Sequence, residues 1–139
     1  MDRTATARWT GDLKSGKGNI KLGSGAFEGA YSFTTRFEGS PGTNPEELLG
    51  AAHAGCFTMQ LSHILATAGH PPTSVETKAI VHLNKVGDGF SVTGIDLETV
   101  GVVPGLSAAE FQKQAEAAKA GCIISRSLSV PIMLKATLG

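Results

Sequence analysis

The segment of residues 43–56, TNPEELLGAAHAGC, constrains the fold more than any other part of the chain, because it opens a helix with almost no side chains in its middle. Asn44 is a favoured N-cap residue, and Pro45 suits the first helical position. The apolar spacing predicts a helix over residues 45–68, which Gly69 ends. Since glycine and alanine let another backbone approach closely, this helix is expected to be central, with a dimer interface as one place for it. Its apolar face is predicted to carry Leu48, Leu49, Ala52, Cys56, Met59, Leu61 and Ile64.

The remaining elements follow from shorter patterns. Residues 6–39 alternate strand-like pieces with glycine turns, and YSFTTRFEG within them has the period of two of a strand, so three short antiparallel strands are predicted. Later patterns predict a hairpin, two helices and a closing strand, over residues 74–86, 90–103, 108–120, 122–128 and 129–138. This order predicts an α+β fold in a single domain of residues 1–139.

Charge and hydropathy exclude several classes of partner. Twelve basic and twelve acidic residues cancel, so neither a nucleic acid nor an anionic membrane surface is expected as a partner. No apolar run approaches the ~20 residues that cross a bilayer, and the N-terminal MDRTATARWT lacks the apolar region of a signal peptide. The expected location is therefore the cytoplasm.

The chain contains two cysteines, and a reducing compartment argues against a purely structural disulfide between them. Cys56 lies eleven residues after Pro45, beyond the reach of the helix dipole, so a reactive thiol here needs a cation such as Arg36, Arg126, His53 or a lysine. Cys122 lies where a short helix begins, and exposed N–H groups there acidify a thiol. Each cysteine could instead be a small buried hydrophobic residue. Whether the two meet depends on the fold.

A metal site is another chemistry that these residue types allow. His53, Cys56 and His63 lie near one another in sequence, and Cys122 could add a fourth ligand. However, His63 lies about two turns, roughly 10 Å, beyond Cys56, which is too far for one tetrahedral site. No C-x-x-C or H-E-x-x-H spacing is present, so no metal is expected, and a Cys/His metal protein is kept as an alternative.

Two stretches, YSFTTRFEGSPGTNPEELLGAAHAGCFTMQLSHIL and the later KAGCIISRSL, resemble the OsmC/Ohr family, and its OsmC branch in particular. The resemblance covers the whole chain. It implies a thiol-dependent peroxidase that reduces organic hydroperoxides, and hydrogen peroxide less well. It also implies an obligate, intertwined α+β homodimer, with antiparallel sheets around a long central helix and the active site at the interface.

The resemblance also implies roles for four residues. By the family pattern Cys56 attacks the peroxide and Cys122 resolves the product, while Arg36, paired with Glu46, stands beside the reactive cysteine. The implied reductant is a lipoylated protein or a small dithiol, and no metal, flavin or haem is expected. A non-catalytic stress or ligand-binding protein of the same fold is the main alternative.

Overall fold

Ten helices and strands follow one another along residues 1–139, all of which the computed structural model describes. They are β1 (Ala5–Thr10), β2 (Lys17–Leu22), β3 (Glu28–Tyr31), α1 (Phe33–Phe37), α2 (Pro45–Thr67), β4 (Ser74–Val86), β5 (Gly89–Val102), α3 (Ala108–Gly121), α4 (Ile123–Ser127) and β6 (Ile132–Leu138). They fall into two compact units, Met1–Leu48 and Leu49–Gly139. This architecture confirms the predicted α+β class, while the single domain stays a prediction. None of the helices is both long and apolar enough to span a lipid bilayer.

The first unit contains the three predicted antiparallel strands, in the order β1-β2-β3. Gly18 of β2 lies between Trp9 of β1 and Tyr31 of β3 in the strand register. The two aromatic rings have their centroids 5.3 Å apart. A Cβ at Gly18 would collide with both rings, so this glycine allows the aromatic pair to close over the middle strand.

Residues 33–37, predicted as part of a strand, form the short helix α1 instead. The Ser32 hydroxyl accepts the Thr35 N–H, and Thr35 Oγ1 accepts the Ser32 N–H, which makes a capping box. Phe33 and Phe37 then lie one turn apart, with ring centroids at 5.0 Å. Local capping therefore overrides the alternation that predicted a strand.

The second unit contains a three-stranded sheet in the order β4-β5-β6. The predicted hairpin is confirmed, since β4 and β5 pair antiparallel from Ser74 opposite Val102 to Val86 opposite Gly89. The expectation of antiparallel sheets is wrong for β6, which pairs parallel with β5. The two helices between β5 and β6 form a crossover long enough to return the chain in the same direction.

Helix α2 confirms the long predicted helix. It runs Pro45–Thr67, and Asn44 Oδ1 accepts the backbone N–H of Glu47 at 2.8 Å, as an N-cap does. Gly69 follows with φ of 86°, a left-handed conformation that glycine adopts without strain.

The buried face of α2 differs from the prediction. The buried positions recur every three or four residues, at Gly50, His53, Phe57, Leu61 and Leu65. Met59, which was predicted for the apolar face, is 76% exposed. Composition alone does not tell which side of a helix rich in small residues packs against a sheet. The predicted apolar face of α2 was therefore too broad, and it was centred on a different side of the helix from the buried one.

The core of the second unit forms around this face of α2. Phe57, Leu61 and Leu65 cluster with apolar side chains of β5 and α3 and with Cys122, all buried. Each large side chain contributes roughly 1.5–3 kcal/mol by leaving water. A Cβ on Gly50 would lie 3.3 Å from Val81 Cγ2, so the glycine lets α2 lie close to β4. This packing holds the part of α2 that carries Cys56.

Candidate active site

The two cysteines, distant in sequence, meet in the second unit. Cys56 lies on α2, Cys122 lies between α3 and α4, and the two thiols are near enough for each to shift the pKa of the other. Both are free thiols; Cys122 is fully buried, whereas Cys56 is partly exposed. The fold therefore brings the two sulfurs near each other, as disulfide formation requires.

The end of α3 brings Cys122 to α2. The Cys122 N–H donates to the Ala118 carbonyl at 2.8 Å, and the chain then turns into α4 at an extended ψ of 124°. A Cβ on Gly121 would lie 3.3 Å from the Gln60 amide nitrogen, one turn beyond Cys56 on α2. The glycine that ends α3 thus permits the close approach that the thiol contact requires.

Cys122 is the N-cap residue of α4, as predicted, and this position acidifies its thiol. Its Sγ accepts the backbone N–H of Ser125 at 3.5 Å. Burial acts to raise the pKa of Cys122, but hydrogen bonds from the Ser125 backbone, the Cys56 thiol and the Ser125 hydroxyl outweigh it and bring the pKa below its ordinary value. Of these groups, the backbone N–H of Ser125 is the one that the start of α4 supplies, as the sequence predicted.

The environment acts on Cys56 in the opposite direction. Burial raises the pKa of Cys56, and the Cys122 sulfur raises it further, although the backbone N–H groups of Ile124 and Ile123 oppose both effects. Within the pair, the negative charge is therefore favoured on Cys122 and the proton on Cys56. None of these influences on Cys56 comes from a cation, so a reactive Cys56 still needs a positive charge from elsewhere.

His53, one of the cations considered for Cys56, has a different partner. Its ring is fully buried, and its Nε2 lies 2.7 Å from Ser125 Oγ. Burial lowers the pKa of His53, so the imidazole is neutral at neutral pH and cannot supply the missing charge. Sequence reasoning did not select Ser125, because a serine in a short helix has no signature until the fold places it between His53 and Cys122.

Arg36 and Glu46 form an ion pair in the first unit. Arg36 Nη2 donates to Glu46 Oε1 at 2.7 Å, and Nε lies at 3.1 and 3.2 Å from the two carboxylate oxygens. The hydrogen bond with Glu46 raises the pKa of Arg36, which therefore stays cationic at every physiological pH. The structure pairs these two side chains, and their role at Cys56 stays a prediction.

A cavity of about 390 Å³ opens beside Arg36 in the same unit. Its other walls are mainly aromatic and aliphatic, from Trp9, Leu13, Tyr31, Phe33 and Phe37. The Arg36 guanidinium lies 5.2 Å from the centroid of the Phe37 ring. Such a cavity presents a cation to a ligand whose remaining surface is apolar.

The histidines and cysteines do not assemble into a metal site. No group of three or more His, Cys, Asp or Glu side chains is arranged so that it could hold a metal ion. His63, which was considered as a ligand together with Cys56, is exposed on α2. The fold thus brings the two cysteines together but does not assemble all four residues of the metal alternative into one group.

Two neighbouring free thiols, one partly exposed and one buried, form the arrangement expected of a dithiol redox protein. Residues 37–136 of the chain match the OsmC-like protein family. Over 135 residues the chain is 50% identical to peroxiredoxin OsmC of Escherichia coli (strain K12), covering 96% of this chain and 94% of that protein. The chain therefore belongs to the OsmC family and is a peroxiredoxin-like enzyme.

Solved structures share the fold over nearly the whole chain. An OsmC-like protein of unknown function from Vibrio cholerae, 20% identical, superposes with a TM-score of 0.77 over 98% of this chain and 99% of that chain. The organic hydroperoxide resistance protein OhrB of Bacillus subtilis, 26% identical, superposes with a TM-score of 0.70 over 98% of both chains. The predicted relation to the OsmC/Ohr family is confirmed.

Proposed function

We propose that this enzyme reduces organic hydroperoxides to alcohols, and hydrogen peroxide less well, through a sulfenic acid on Cys56 and a disulfide between Cys56 and Cys122. The observation that carries the proposal is the proximity of a partly exposed sulfur and a buried one, each of which shifts the pKa of the other. The name of the Bacillus subtilis structural relative, an organic hydroperoxide resistance protein, supports the choice of substrate.

The difference in exposure supports this order of the two sulfurs. Cys122 is fully buried and cannot meet a peroxide directly, whereas Cys56 is partly exposed. The Cys56 thiolate attacks the terminal peroxide oxygen, the O–O bond breaks, and the alkoxide takes a proton and leaves as the alcohol. The Cys122 thiolate then attacks the sulfur of the Cys56 sulfenic acid, the S–O bond breaks, and the hydroxide takes a proton and leaves as water. An external dithiol reopens the disulfide by exchange and is itself oxidised.

The first step needs a positive charge, because burial and the Cys122 sulfur both hold the pKa of Cys56 above its ordinary value. We assign this charge to Arg36. Glu46 engages Nε and Nη2 of Arg36 and orients the guanidinium, while Nη1 takes no part in that ion pair. A planar, permanently charged group held in this way suits both a thiolate and a peroxide oxygen.

The cavity beside Arg36 supports an organic peroxide as substrate. Its aromatic walls suit an alkyl or aryl group, and the guanidinium suits the peroxide oxygens. Each methylene removed from water contributes about 0.8 kcal/mol, equal to roughly a fourfold preference over hydrogen peroxide per methylene. Phe57, although it follows Cys56 directly in sequence, takes no part in these walls, since it is wholly buried in the core.

The enzyme is proposed to act as an intertwined homodimer in the cytoplasm, with a dithiol such as a lipoylated protein as the reductant. Large apolar side chains next to both cysteines support an interface there, since Met59 is 76% exposed and Ile123 is 68% exposed. Both cysteines are free thiols, which suits a reducing compartment. Sedimentation of the purified protein tests the dimer, and peroxide turnover with dihydrolipoamide against glutathione tests the reductant.

Thiol counting tests the reaction itself. Treatment of the folded protein with cumene hydroperoxide is expected to consume both thiols. Cys56→Ser is expected to abolish turnover, and Cys122→Ser to reduce one equivalent of peroxide and leave a sulfenic acid that dimedone traps. Retention of both thiols in the wild-type protein would instead support the non-catalytic alternative.

A further inference from the structure

His53 and Ser125 form a buried polar contact that the proposed reaction does not use. His53 lies on α2, one turn before Cys56, in the row of α2 side chains that faces the core. Its Nε2 lies 2.7 Å from Ser125 Oγ, and both residues are buried. The other ring nitrogen, Nδ1, is buried and has no hydrogen-bond partner.

The position of the single proton on the neutral His53 ring determines which side chain donates in the hydrogen bond between His53 and Ser125. A neutral imidazole carries one proton, on Nδ1 or on Nε2, and Nδ1 has no hydrogen-bond partner here. With the proton on Nε2, Ser125 Oγ accepts from His53 Nε2–H, and Nδ1 carries only a lone pair. The opposite direction would place a proton on the unpartnered Nδ1, and orphaned buried N–H groups are rare in folded proteins.

We infer that His53 is a positioning residue, which holds Ser125 in place so that the Ser125 backbone N–H stays on the Cys122 sulfur, and which so keeps that sulfur ready to attack oxidised Cys56. The inference rests on the proposed function for its place in the reaction. It assigns His53 to the resolving step, in which the S–S bond forms and the S–O bond of the sulfenic acid breaks. The buried chain of groups runs His53, Ser125, Cys122 and Cys56.

A purely structural role explains this arrangement less well. The other buried positions of α2 carry glycine or apolar side chains, namely Gly50, Phe57, Leu61 and Leu65. A buried imidazole with one unpartnered nitrogen lowers stability relative to an apolar side chain of similar size. A polar residue in this row is therefore expected to serve the groups that it contacts.

The first test measures the titration of the Cys122 thiol in the absence of peroxide. In a Cys56→Ser background, thiolate absorbance at 240 nm against pH reports the titration of Cys122. His53→Met removes the donor and His53→Gln keeps one at a similar distance from the backbone. The midpoint of the Cys122 titration is expected to rise by about one pH unit with His53→Met, because the loss of one hydrogen bond to a charged sulfur has about this effect. With His53→Gln the midpoint is expected to return toward the parent value.

Two further variants complete this test. His63→Met, an exposed histidine on the same helix, serves as the matched control and is expected to leave the midpoint unchanged. Ser125→Ala is expected to raise the midpoint as His53→Met does, and it provides the measurement if His53→Met does not fold. The inference is overturned if His53→Gln and His53→Met shift the midpoint equally, or if neither His53→Met nor Ser125→Ala shifts it.

The second test follows the resolving step. After one equivalent of cumene hydroperoxide, disulfide formation is expected to be about tenfold slower with His53→Met than with His53→Gln, and dimedone labelling is expected to increase. Combining His53→Met with Ser125→Ala is expected to add little to Ser125→Ala alone, since both act through one hydrogen bond. Additive effects would overturn the inference. If the wild-type protein consumed no peroxide, the proposed function would fail, and the titration would still decide the role of His53.

Discussion

Replacing Cys122 with alanine is expected to lower the pKa of Cys56, although the substitution removes the more acidic of the two thiols. Cys122 raises the pKa of Cys56 in two ways, through the hydrogen bond between the thiols and through the charge that its sulfur carries. Both effects favour the protonated form of Cys56. Alanine at position 122 removes both, while the backbone N–H groups of Ile123 and Ile124, which lower the pKa of Cys56, remain in the chain.

The magnitude follows from Coulomb's law. Two unit charges roughly 4 Å apart repel by about 4 kcal/mol at an effective dielectric constant of about 20, which is equivalent to about three pH units in the pKa. Because Cys56 is partly exposed, solvent screens much of this repulsion, and we expect a decrease of about one pH unit. Since only the thiolate is alkylated, the reaction at neutral pH should become up to tenfold faster.

The assay is the rate of iodoacetamide alkylation against pH, with the modified peptide identified by mass spectrometry. Cys122 is fully buried in the wild-type protein, so alkylation there reports Cys56. Cys122→Ser serves as a control that keeps a hydroxyl donor near Cys56 but removes the titrating sulfur. A midpoint that stays unchanged or rises in Cys122→Ala would refute the reasoning, because it would mean that the two sulfurs do not share a proton.

Three other substitutions test separate parts of the structure. Arg36→Ala is expected to raise the pKa of Cys56 and slow its alkylation at neutral pH, because the cation that we assign to the thiolate is lost. Phe57→Ala is expected to lower the free energy of unfolding by about 3–5 kcal/mol in urea titrations, because Phe57 is fully buried in the core. His53 gives a pH dependence: burial lowers the pKa of His53 from 6.5, so below that pH the unfolded chain binds a proton that the folded chain does not. Stability should therefore fall as the pH falls below 6.5, and less steeply in His53→Gln.

Each of these predictions has an outcome that contradicts it. An alkylation profile that does not move in Arg36→Ala would remove Arg36 from the activation of Cys56. A loss below about 1 kcal/mol in Phe57→Ala would mean that the core collapses around the vacancy or is not formed as described. Equal slopes of stability against pH for the wild-type protein and His53→Gln would show that His53 is protonated in the folded state.

Elements whose signals lie within a few residues could be predicted from the amino-acid sequence alone. Asn44 and Pro45 mark the start of α2, and Gly69 marks its end. The hairpin of β4 and β5 follows from alternation around a glycine turn. The backbone N–H of Ser125, which lowers the pKa of Cys122, follows from the position of Cys122 at the start of α4. In each case the responsible groups are neighbours along the chain, so their interaction depends little on the rest of the fold.

The prediction was wrong where two local sequence patterns favour different secondary structures. Alternation in YSFTTRFEG predicted a strand, whereas the reciprocal hydrogen bonds of Ser32 and Thr35 start the helix α1. The buried face of α2 was also misjudged, since Met59 is exposed and His53 is buried. A helix lined with glycine and alanine has no dominant apolar side, so the sheet against which it packs decides the orientation.

Which reactive groups meet could be learned only from the packed fold. Sixty-six residues separate Cys56 from Cys122, and no spacing in the sequence reports that their sulfurs lie near each other. The same holds for His53 and Ser125, seventy-two residues apart, and for the parallel pairing of β6 with β5. Contacts of this kind depend on how α2, α3 and α4 pack around one core, and packing is a property of the whole chain, which local patterns along it do not contain.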